Sequence, residues 1–210
     1  MDEPAAAGSG GSLMVDLIIS LDGYASAEGW PGWWGLEGPE YLAWLDQEAE
    51  KNYTVLMGAN TYRLMSGMSA AASADGSGFP DSEGASLTGL AAVPKVIFSS
   101  TLQEPLDWPN SKLVRGDAVE AVSEMKRSGD RPLSTLGSLS LCRSLLAAGL
   151  VDRFRLVVFP VITGKTGRER IYDGYPDVGL EMVDSRTFDG RLQLLEYAPT
   201  VLARPPGTAS

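Results

Sequence analysis

The order of short apolar strands and amphipathic helices decides which folds are open to this chain of 210 residues. Strand-like and helix-like patterns alternate between residues 13 and 161. Such β-α repetition predicts a largely parallel sheet with helices on both faces. The C-terminal part differs, because two alternating strand patterns flank Asp189-Gly190, a strong signal for a two-residue hairpin. We therefore predict an α/β fold whose mixed, mostly parallel sheet closes with a C-terminal antiparallel hairpin.

The predicted strands are short apolar runs at residues 13–20, 54–57, 95–98, 132–136, 152–161, 180–188 and 191–197. Helical spacing predicts helices at 39–51, 60–65, 117–128 and from 139 to near 149. Asp117 suits the N-cap of the helix that follows it, and Gly129 suits its stop.

We predict a single domain over residues 13–202, between loose tails at 1–12 and 203–210. Residues 66–92 contain few residues that favour regular structure, and this composition predicts a flexible insertion. Whether this insertion is a tolerated surface loop or a functional lid stays open.

The chain contains no histidine, and this absence excludes whole classes of chemistry. Ser-His-Asp catalysis, Cys-His catalysis and histidine-ligated metal sites are all ruled out. Cys142 is the only cysteine, which excludes intrachain disulfides and thiolate clusters, and its apolar helical context favours a buried structural thiol. We predict no metal, so any chemistry must use carboxylates, Tyr, Lys, Ser or Thr, or an organic cofactor.

The net charge of −10 argues against nucleic acid and anionic membranes as partners, because both bind basic surfaces. No apolar run approaches the roughly 20 residues of a membrane span. The N-terminus, MDEPAAAGSGGS, lacks the basic start and apolar middle of a secretory signal. We therefore expect a cytoplasmic protein that acts on a small molecule.

The segment FPVITGKT contains Gly-Lys-Thr, which ends the phosphate-binding P-loop of nucleotide triphosphatases. That loop needs a glycine five residues before the Gly-Lys-Thr glycine, but Phe159 stands there and Pro160 follows. Phenylalanine does not take the dihedrals that glycine allows, and proline has no N–H to donate. We interpret the segment as a strand that ends in a glycine-rich loop.

Four loops follow the carboxyl ends of predicted strands, where open α/β sheets bind their ligands. Gly58 and Gly137 each stand directly before a predicted helix, where free N–H groups and the helix dipole favour phosphate. Either glycine alone is compatible with a steric role, but the pair suits a ligand with a pyrophosphate. The G-x-G-x-x-G fingerprint of a standard Rossmann half is absent. The four loops are SLDGY at 20–24, GANTY at 58–62, SST at 99–101 and GSLS at 137–140.

A family resemblance rests on SLDGYAS, VLMGANTY, KVIFSSTL and STLGSLSLCRSLLAAGLVDRFRLVVFPVITG, in this order and spacing. They resemble the dihydrofolate reductase-like superfamily, and within it the reductase (C-terminal) domain of riboflavin-biosynthesis deaminase-reductase proteins and their stand-alone relatives. The resemblance covers about residues 13–198, and AAGLVD followed by a strand and Pro160 is its most specific part. It implies an α/β sandwich with a C-terminal antiparallel hairpin, in agreement with the pattern above.

The resemblance also implies NADPH as the cofactor, hydride transfer to a planar heterocycle or sugar-linked pyrimidine, and a homodimer. Asp22 would face the nicotinamide and the substrate, or else serve as a turn residue before Gly23. Ser99, Ser100 and Thr101 would lie by the adenosine ribose. The pyrophosphate and nicotinamide half would be held by Gly58, Ala59, Asn60, Thr61, Gly137, Ser138, Leu139 and Ser140.

Two departures from the family pattern bear on the choice of cofactor. The family often has arginine where this chain has Ala59 and Ser100, and arginine commonly binds a 2′-phosphate. NADH is therefore a second candidate cofactor. Substitutes for the missing arginines would come from Arg63, Lys95 and Arg115.

Tyr41 stands where dihydrofolate reductase has its pterin-binding carboxylate, directly before Leu-Ala-Trp, and Glu40 lies one step earlier. One residue turns a helical side chain by about 100°, so we do not expect Glu40 to inherit that role or dihydrofolate to be the substrate. Tyr41 either donates a proton or hydrogen bond, or packs in the core. Three roles are open for the tryptophans Trp30, Trp33 and Trp34. They would stack on a planar substrate, pack their loop onto the core, or lie in a dimer interface.

These features predict an NAD(P)H-dependent oxidoreductase that reduces a small planar heterocyclic, imine or carbonyl substrate in riboflavin-like, pterin-like or specialised biosynthesis. Since histidine is absent, the proton would come from water, Asp22 or Tyr41. The alternative is a non-catalytic dinucleotide- or ligand-binding protein that retains the fold, a reading that the missing arginines and pterin carboxylate favour.

Overall fold

The computed structural model describes residues 11–29, 34–49, 52–74, 81–129 and 131–204. Its helices are α1 (Pro39–Ala49), α2 (Ala59–Ala72), α3 (Asp81–Gly89), α4 (Ala118–Ser128) and α5 (Leu139–Ala147). Its strands are β1 (Leu13–Ser20), β2 (Tyr24–Ala27), β3 (Thr54–Gly58), β4 (Lys95–Phe98), β5 (Ser111–Val114), β6 (Leu133–Thr135), β7 (Arg153–Phe159), β8 (Gly167–Arg170), β9 (Val178–Phe188) and β10 (Leu192–Val201).

Eight of these strands form one sheet in the order β5-β4-β3-β6-β1-β7-β10-β9. The first six strands in this order, β5 through β4, β3, β6 and β1 to β7, run parallel to one another. Strand β10 is antiparallel to both β7 and β9. The turn between β9 and β10 is Asp189-Gly190, and both residues have positive φ, at 53° and 64°, as a tight hairpin turn requires. The predicted fold class, with its mixed sheet and C-terminal hairpin, is confirmed.

Helices cover both faces of this sheet. On one face, α4 and α5 pack with Val122 and Leu145 against alternate residues of β1 and β7, such as Val15 and Leu156. On the other face, α1 packs against the intervening residues of β7 and against β10, while α2 and α3 pack against β3 and β4. The central strands are buried on both sides, which explains why they appear in the sequence as continuous apolar runs.

A buried ion cluster ties α1 to the centre of the sheet. Arg155 of β7 donates from Nη2 and Nε to the two carboxylate oxygens of Asp16, at 2.6 and 3.1 Å, and from Nη1 to Glu48 at 2.5 Å. Its guanidinium also lies 4.8 Å from the centre of the Trp44 ring. Burial alone would lower the pKa of Arg155, but the two carboxylates outweigh it and raise the pKa. With 5% of its side chain exposed, Arg155 stays charged inside the protein.

Carboxylates cap the N-termini of two helices. Asp117 caps α4 as predicted, and Gly129 stands at its C-terminal end. The N-terminus of α1 is capped by Asp189 of the hairpin turn, which accepts hydrogen bonds from the N–H groups of Glu40 and Tyr41 at 3.0 and 3.2 Å. The hydrogen bonding is reciprocal, because the Glu40 carboxylate accepts the N–H of Asp189 at 2.5 Å.

The insertion predicted over residues 66–92 contains helical structure in its described part. The helix α2 continues to Ala72, and α3 occupies Asp81–Gly89. Ser69 and Leu87 are buried, at 4% and 1% exposure, because α3 packs on α2 and covers β3 and β4. None of the helices in the described part of the chain has the length and apolarity needed to cross a membrane.

Candidate active site

The four loops selected from the sequence meet at one edge of the sheet. The strands β4, β3, β6 and β1 are neighbours in that order and run in parallel. Their exits therefore follow one another along the carboxyl edge. The register is close, since Gly58 pairs with Phe98 of β4, and Leu56 pairs with Thr135 of β6. The prediction that Gly58 and Gly137 share one edge of the sheet is confirmed.

The exits of β3 and β6 are in direct contact through Ser138. Its Oγ accepts the N–H of Gly58 at 2.8 Å and donates to Oγ1 of Thr61 at 2.8 Å. Gly137 has a φ of 52°, and a Cβ added there would lie 3.2 Å from Oγ1 of Thr61. Both its conformation and the space around it thus favour glycine. The N–H of Gly58 is bonded within the protein.

The N-termini of α2 and α5 lie side by side at this edge, and no side chain in the described part of the chain caps either helix. Their N-cap residues are Gly58, which has no side chain, and Ser138, whose hydroxyl bonds across to β3 and α2 instead of to its own helix. By contrast, Asp117 and Asp189 cap α4 and α1. Within the described residues, the first-turn N–H groups of α2 and α5 therefore have no side-chain capping acceptor, which leaves them available to an anion.

The residues in these two first turns are those selected for cofactor binding. Ala59, Asn60 and Thr61 open α2, while Leu139 and Ser140 open α5. The first turns of both helices thus begin next to the carboxyl ends of the neighbouring strands β3 and β6. Uncapped helix N-termini are places where proteins commonly bind phosphate.

The exit of β4 forms a tight turn beside these helices. Ser99 Oγ accepts the N–H groups of Thr101 and Leu102, both at 3.1 Å. Arg115, which follows β5, donates to the carbonyl oxygens of Ser100 and Leu102 at 3.3 and 2.8 Å. An exposed guanidinium therefore lies beside the loop selected for the adenosine ribose.

The other two candidate cations lie in different places. Lys95 is 1% exposed at the amino end of β4, where its Nζ donates to the carbonyls of Leu90 and Val93, both at 2.6 Å, and lies 4.6 Å from the Trp108 ring centre. Burial lowers the pKa of Lys95 to about 8. Lys95 is thus a core residue, and its proposed contact with the cofactor is wrong. Arg63 is exposed on α2, where Nη1 lies 3.4 Å from Oδ1 of Asn60.

Asp22 lies at the exit of β1 and holds the loop that follows β7. Its carboxylate accepts the Ser20 hydroxyl at 2.7 Å and the N–H groups of Gly164 and Thr163 at 2.7 and 3.1 Å. Loss of hydration would raise the pKa of Asp22, but these hydrogen bonds outweigh it and lower the pKa to about 2. Asp22 is therefore ionised at neutral pH, which suits a hydrogen-bond acceptor and makes it a poor proton donor.

Tyr41 lies in an aromatic cluster under α1. It is 1% exposed, and its ring stacks on Trp44 and meets the edge of Phe159, with both centroid distances at 5.7 Å. Burial, and then the nearby Asp16 and Glu37 carboxylates, raise the pKa of its hydroxyl. This placement corresponds to packing in the core, and it argues against Tyr41 as a proton donor.

Of the three tryptophans selected for the substrate, the structure describes Trp34 alone. Trp30 and Trp33 lie outside the described residues. Trp34 is half-buried and packs on the aromatic cluster of α1, and its Nε1 is buried without a hydrogen-bond partner in the described part of the chain. Val161, which follows β7, packs against the same cluster.

Sequence reasoning missed that Thr163 and Gly164 belong to this edge. Their N–H groups bind Asp22, so the glycine of Gly-Lys-Thr does bind an anion, but the anion is a carboxylate of the same chain. Sequence reasoning also missed Tyr172. A Cβ added to Gly23, the residue after Asp22, would lie 3.0 Å from the Tyr172 ring, so this ring packs against the loop that follows β1. The signal for the first pair was a turn of small residues directly after a strand. In the described residues, no group of three or more His, Cys, Asp or Glu is arranged to hold a metal.

Comparison with known proteins assigns the chain to a family. The family model of the RibD C-terminal domain matches residues 12–194. The chain belongs to this family. Membership confirms the resemblance to the reductase domain of riboflavin-biosynthesis proteins.

Relatives of this RibD C-terminal domain protein include one curated sequence and many solved structures. Uncharacterized protein YyaP of Bacillus subtilis is 26% identical over 187 residues, which cover 88% of this chain and 93% of YyaP. A protein of Shewanella sp. PV-4 assigned to riboflavin biosynthesis has a TM-score of 0.67 at 19% identity, over 90% of this chain and 99% of that one. The riboflavin biosynthesis reductase Rib7 of Saccharomyces cerevisiae has a TM-score of 0.56 at 12% identity, over 93% of each chain.

Proposed function

We propose that this chain is an NADPH-dependent reductase that transfers a hydride to a small planar heterocyclic, imine or carbonyl substrate. The observation that carries the proposal is the pair of uncapped helix N-termini, α2 and α5, side by side at the carboxyl edge of the sheet. The family supports the same reaction class, since Rib7 is a riboflavin biosynthesis reductase. A substrate of the riboflavin type, a pterin-like ring or an intermediate of specialised biosynthesis fits this class.

The residues at the edge fit a dinucleotide. The first turns of α2 and α5 offer N–H donors for the pyrophosphate. Ser99, Ser100 and Thr101 lie one strand further, at the exit of β4, which suits the adenosine ribose. The exit of β1 with Asp22 lies on the opposite side of β6 from β3, which suits the nicotinamide and the substrate.

The chemistry divides between cofactor and protein. Bound NADPH supplies the hydride. The protein orients the reactants and excludes water from the reacting atoms. Asp22, as an anion held by Ser20, Thr163 and Gly164, fixes the β1 and β7 exits relative to each other. Since the hydroxyl of Tyr41 is buried and Asp22 is ionised, we propose that the proton reaches the product from water.

The test of the function is cofactor binding by the purified protein. We expect NADPH to quench the tryptophan fluorescence and to show energy transfer to the reduced nicotinamide, with a dissociation constant in the micromolar range. A screen of heterocyclic substrates, followed by the loss of reduced-nicotinamide absorbance, then identifies the acceptor. If neither NADPH nor NADH binds at millimolar concentration, the alternative of a non-catalytic protein that retains the fold is favoured instead.

Arg115 is expected to decide between the two cofactors. Its guanidinium is exposed beside the turn at Ser99–Thr101, where a 2′-phosphate would lie. Charge-assisted hydrogen bonds contribute about 1.5–3 kcal/mol, so Arg115→Ser should weaken NADPH binding by roughly 10- to 100-fold. NADH lacks the 2′-phosphate, and its binding should fall much less. Titration of both cofactors measures this difference. Lys112→Ser removes a charge from β5, the strand that precedes Arg115, and serves as the control. An equal loss for NADPH and NADH would contradict a role in 2′-phosphate recognition.

We also propose that the chain forms a homodimer through the exposed side of its C-terminal hairpin. The edge strand β9 and the end of β10 carry exposed apolar residues, namely Leu180, Met182, Val183 and Val201, at 38–56% exposure. An apolar group on an edge strand favours association with a second copy. Light scattering at micromolar concentration should report twice the mass of the chain, and a monomer would overturn the proposal.

A further inference from the structure

Ser138 has an uncommon backbone conformation where the two helix N-termini meet. Its φ and ψ are 61° and 57°, in the left-handed region, and it follows Gly137, which also has positive φ. A residue with a Cβ is disfavoured there relative to glycine. Such a conformation persists where surrounding contacts hold it in place. The contacts of the Ser138 side chain therefore indicate what holds this residue in the left-handed region.

Those contacts come from one oxygen atom that joins two strand exits. Ser138 Oγ accepts the N–H of Gly58 and donates to Oγ1 of Thr61, each at 2.8 Å, and its alternative acceptor, the carbonyl of Leu136, lies at 3.3 Å. We call the interactions with Gly58 and Thr61 the hydroxyl bridge. Gly58 is the N-cap of α2, Thr61 lies in its first turn, and Ser138 is the N-cap of α5. The bridge therefore links the starts of both helices.

We infer that Ser138 is a positioning residue whose hydroxyl bridge sets the spacing between the N-termini of α2 and α5. This inference rests on the proposed function, because a pyrophosphate has two phosphates at a fixed separation and binds best to donors already held at that separation. The hydroxyl itself is occupied by protein partners. Ser138 therefore acts through the main-chain donors of both helices and is not itself a phosphate ligand.

Two substitutions at Ser138 separate positioning from stability. Ser138→Ala removes both hydrogen bonds of the bridge and keeps the left-handed strain. It should weaken NADPH binding about five- to tenfold, a loss of the size that one hydrogen bond contributes. Ser138→Gly also removes the bridge but relieves the strain, so its melting temperature should exceed that of Ser138→Ala while its NADPH affinity stays low. A purely stabilising role predicts that affinity and melting temperature change together, and that outcome would overturn the inference.

Further variants identify the bonds involved. Thr61→Ser keeps a hydroxyl for the bridge and should bind NADPH better than Thr61→Val, which lacks one. Ser144→Ala is the matched control, since Ser144 lies one turn further along α5 and its hydroxyl donates only to the carbonyl of Ser140. It should bind NADPH as the unmodified protein does. Equal affinity of Ser138→Ala and the unmodified protein would also overturn the inference.

Amide hydrogen exchange tests the bridge without a ligand. Ser138→Ala should speed exchange at Gly58, whose N–H loses its acceptor, although the substitution lies 80 positions away in the sequence. Ser144→Ala should leave Gly58 unchanged. If the unmodified protein binds neither NADPH nor NADH, the proposed function fails. The existence of the hydroxyl bridge is then tested by amide exchange alone. Unchanged exchange at Gly58 in Ser138→Ala would then overturn it.

Discussion

Gly137→Asp is expected to abolish dinucleotide binding while the protein stays folded. Gly137 has a φ of 52°, and a new Cβ would lie 3.2 Å from Oγ1 of Thr61. The strain costs roughly 1–2 kcal/mol, which a folded domain tolerates. The carboxylate would stand at the uncapped ends of α2 and α5, where it competes with the cofactor's phosphates for the same donors. We expect NADPH affinity to fall by about 100-fold or more, since ~2.7 kcal/mol suffices, as measured by fluorescence titration.

The control for this substitution is Gly149→Asp. Gly149 has a similar positive φ of 67° just beyond the C-terminus of α5, and a side chain there would meet open space. Gly149→Asp therefore introduces the same charge and similar backbone strain away from the site. It should lose some stability and keep its NADPH affinity. If Gly137→Asp retains normal binding, the phosphates do not lie between α2 and α5, and the proposed cofactor site is wrong.

Arg155→Leu is expected to have the largest effect on stability. Arg155 holds Asp16 and Glu48 together between α1 and the sheet. Its removal takes the Arg155 charge away from two carboxylates in a poorly hydrated place, and breaking a buried ion pair in this way costs about 3–5 kcal/mol. Urea denaturation should show a lower midpoint with little change in the slope of the transition.

Two variants show whether charge is the cause. Arg153→Leu removes an arginine from the same strand, and its partner Glu196 lies at 3.4 Å, but 45% of the Arg153 side chain is exposed. An exposed pair contributes no more than about 1 kcal/mol, so this change should be mild. Adding Asp16→Asn and Glu48→Gln to Arg155→Leu should recover part of the lost stability. A triple variant no more stable than Arg155→Leu would assign the loss to packing on Trp44 instead.

The main elements of the fold could be predicted from the sequence because local patterns specify them. β1 and β4 match the predicted residues, and α4 begins after Asp117 and ends at Ser128, directly before Gly129, as expected. The short strands β2 and β8 were missed, because they pair with each other outside the main sheet and have no continuous apolar run. α3 was missed because its stability comes from packing through Leu87, while its sequence is rich in Gly and Ser.

The candidate site was predictable only in outline. The positions of Gly58 and Gly137 followed from the rule that parallel strands end at one edge. The partners of single side chains did not follow, because contacts such as Asp22 with Gly164 join residues far apart in the sequence. Lys95 shows the same limit, since its burial against Trp108 is visible only in the folded chain. Tyr41 and Lys95 were thus ambiguous in the sequence and are core residues in the structure.

The cap that Asp189 provides for α1 bears on the order of folding. The residues that complete the start of α1 lie 149 positions further along the chain, and the neighbour of β1 on one side, β7, is also distant in sequence. Contacts of such high sequence separation slow folding, because a long loop must close before they form. While the ribosome is still synthesising the C-terminal hairpin, α1 lacks its cap and its aromatic cluster lacks β10. The start of α1 should therefore reach its native packing only after the last two strands have been made.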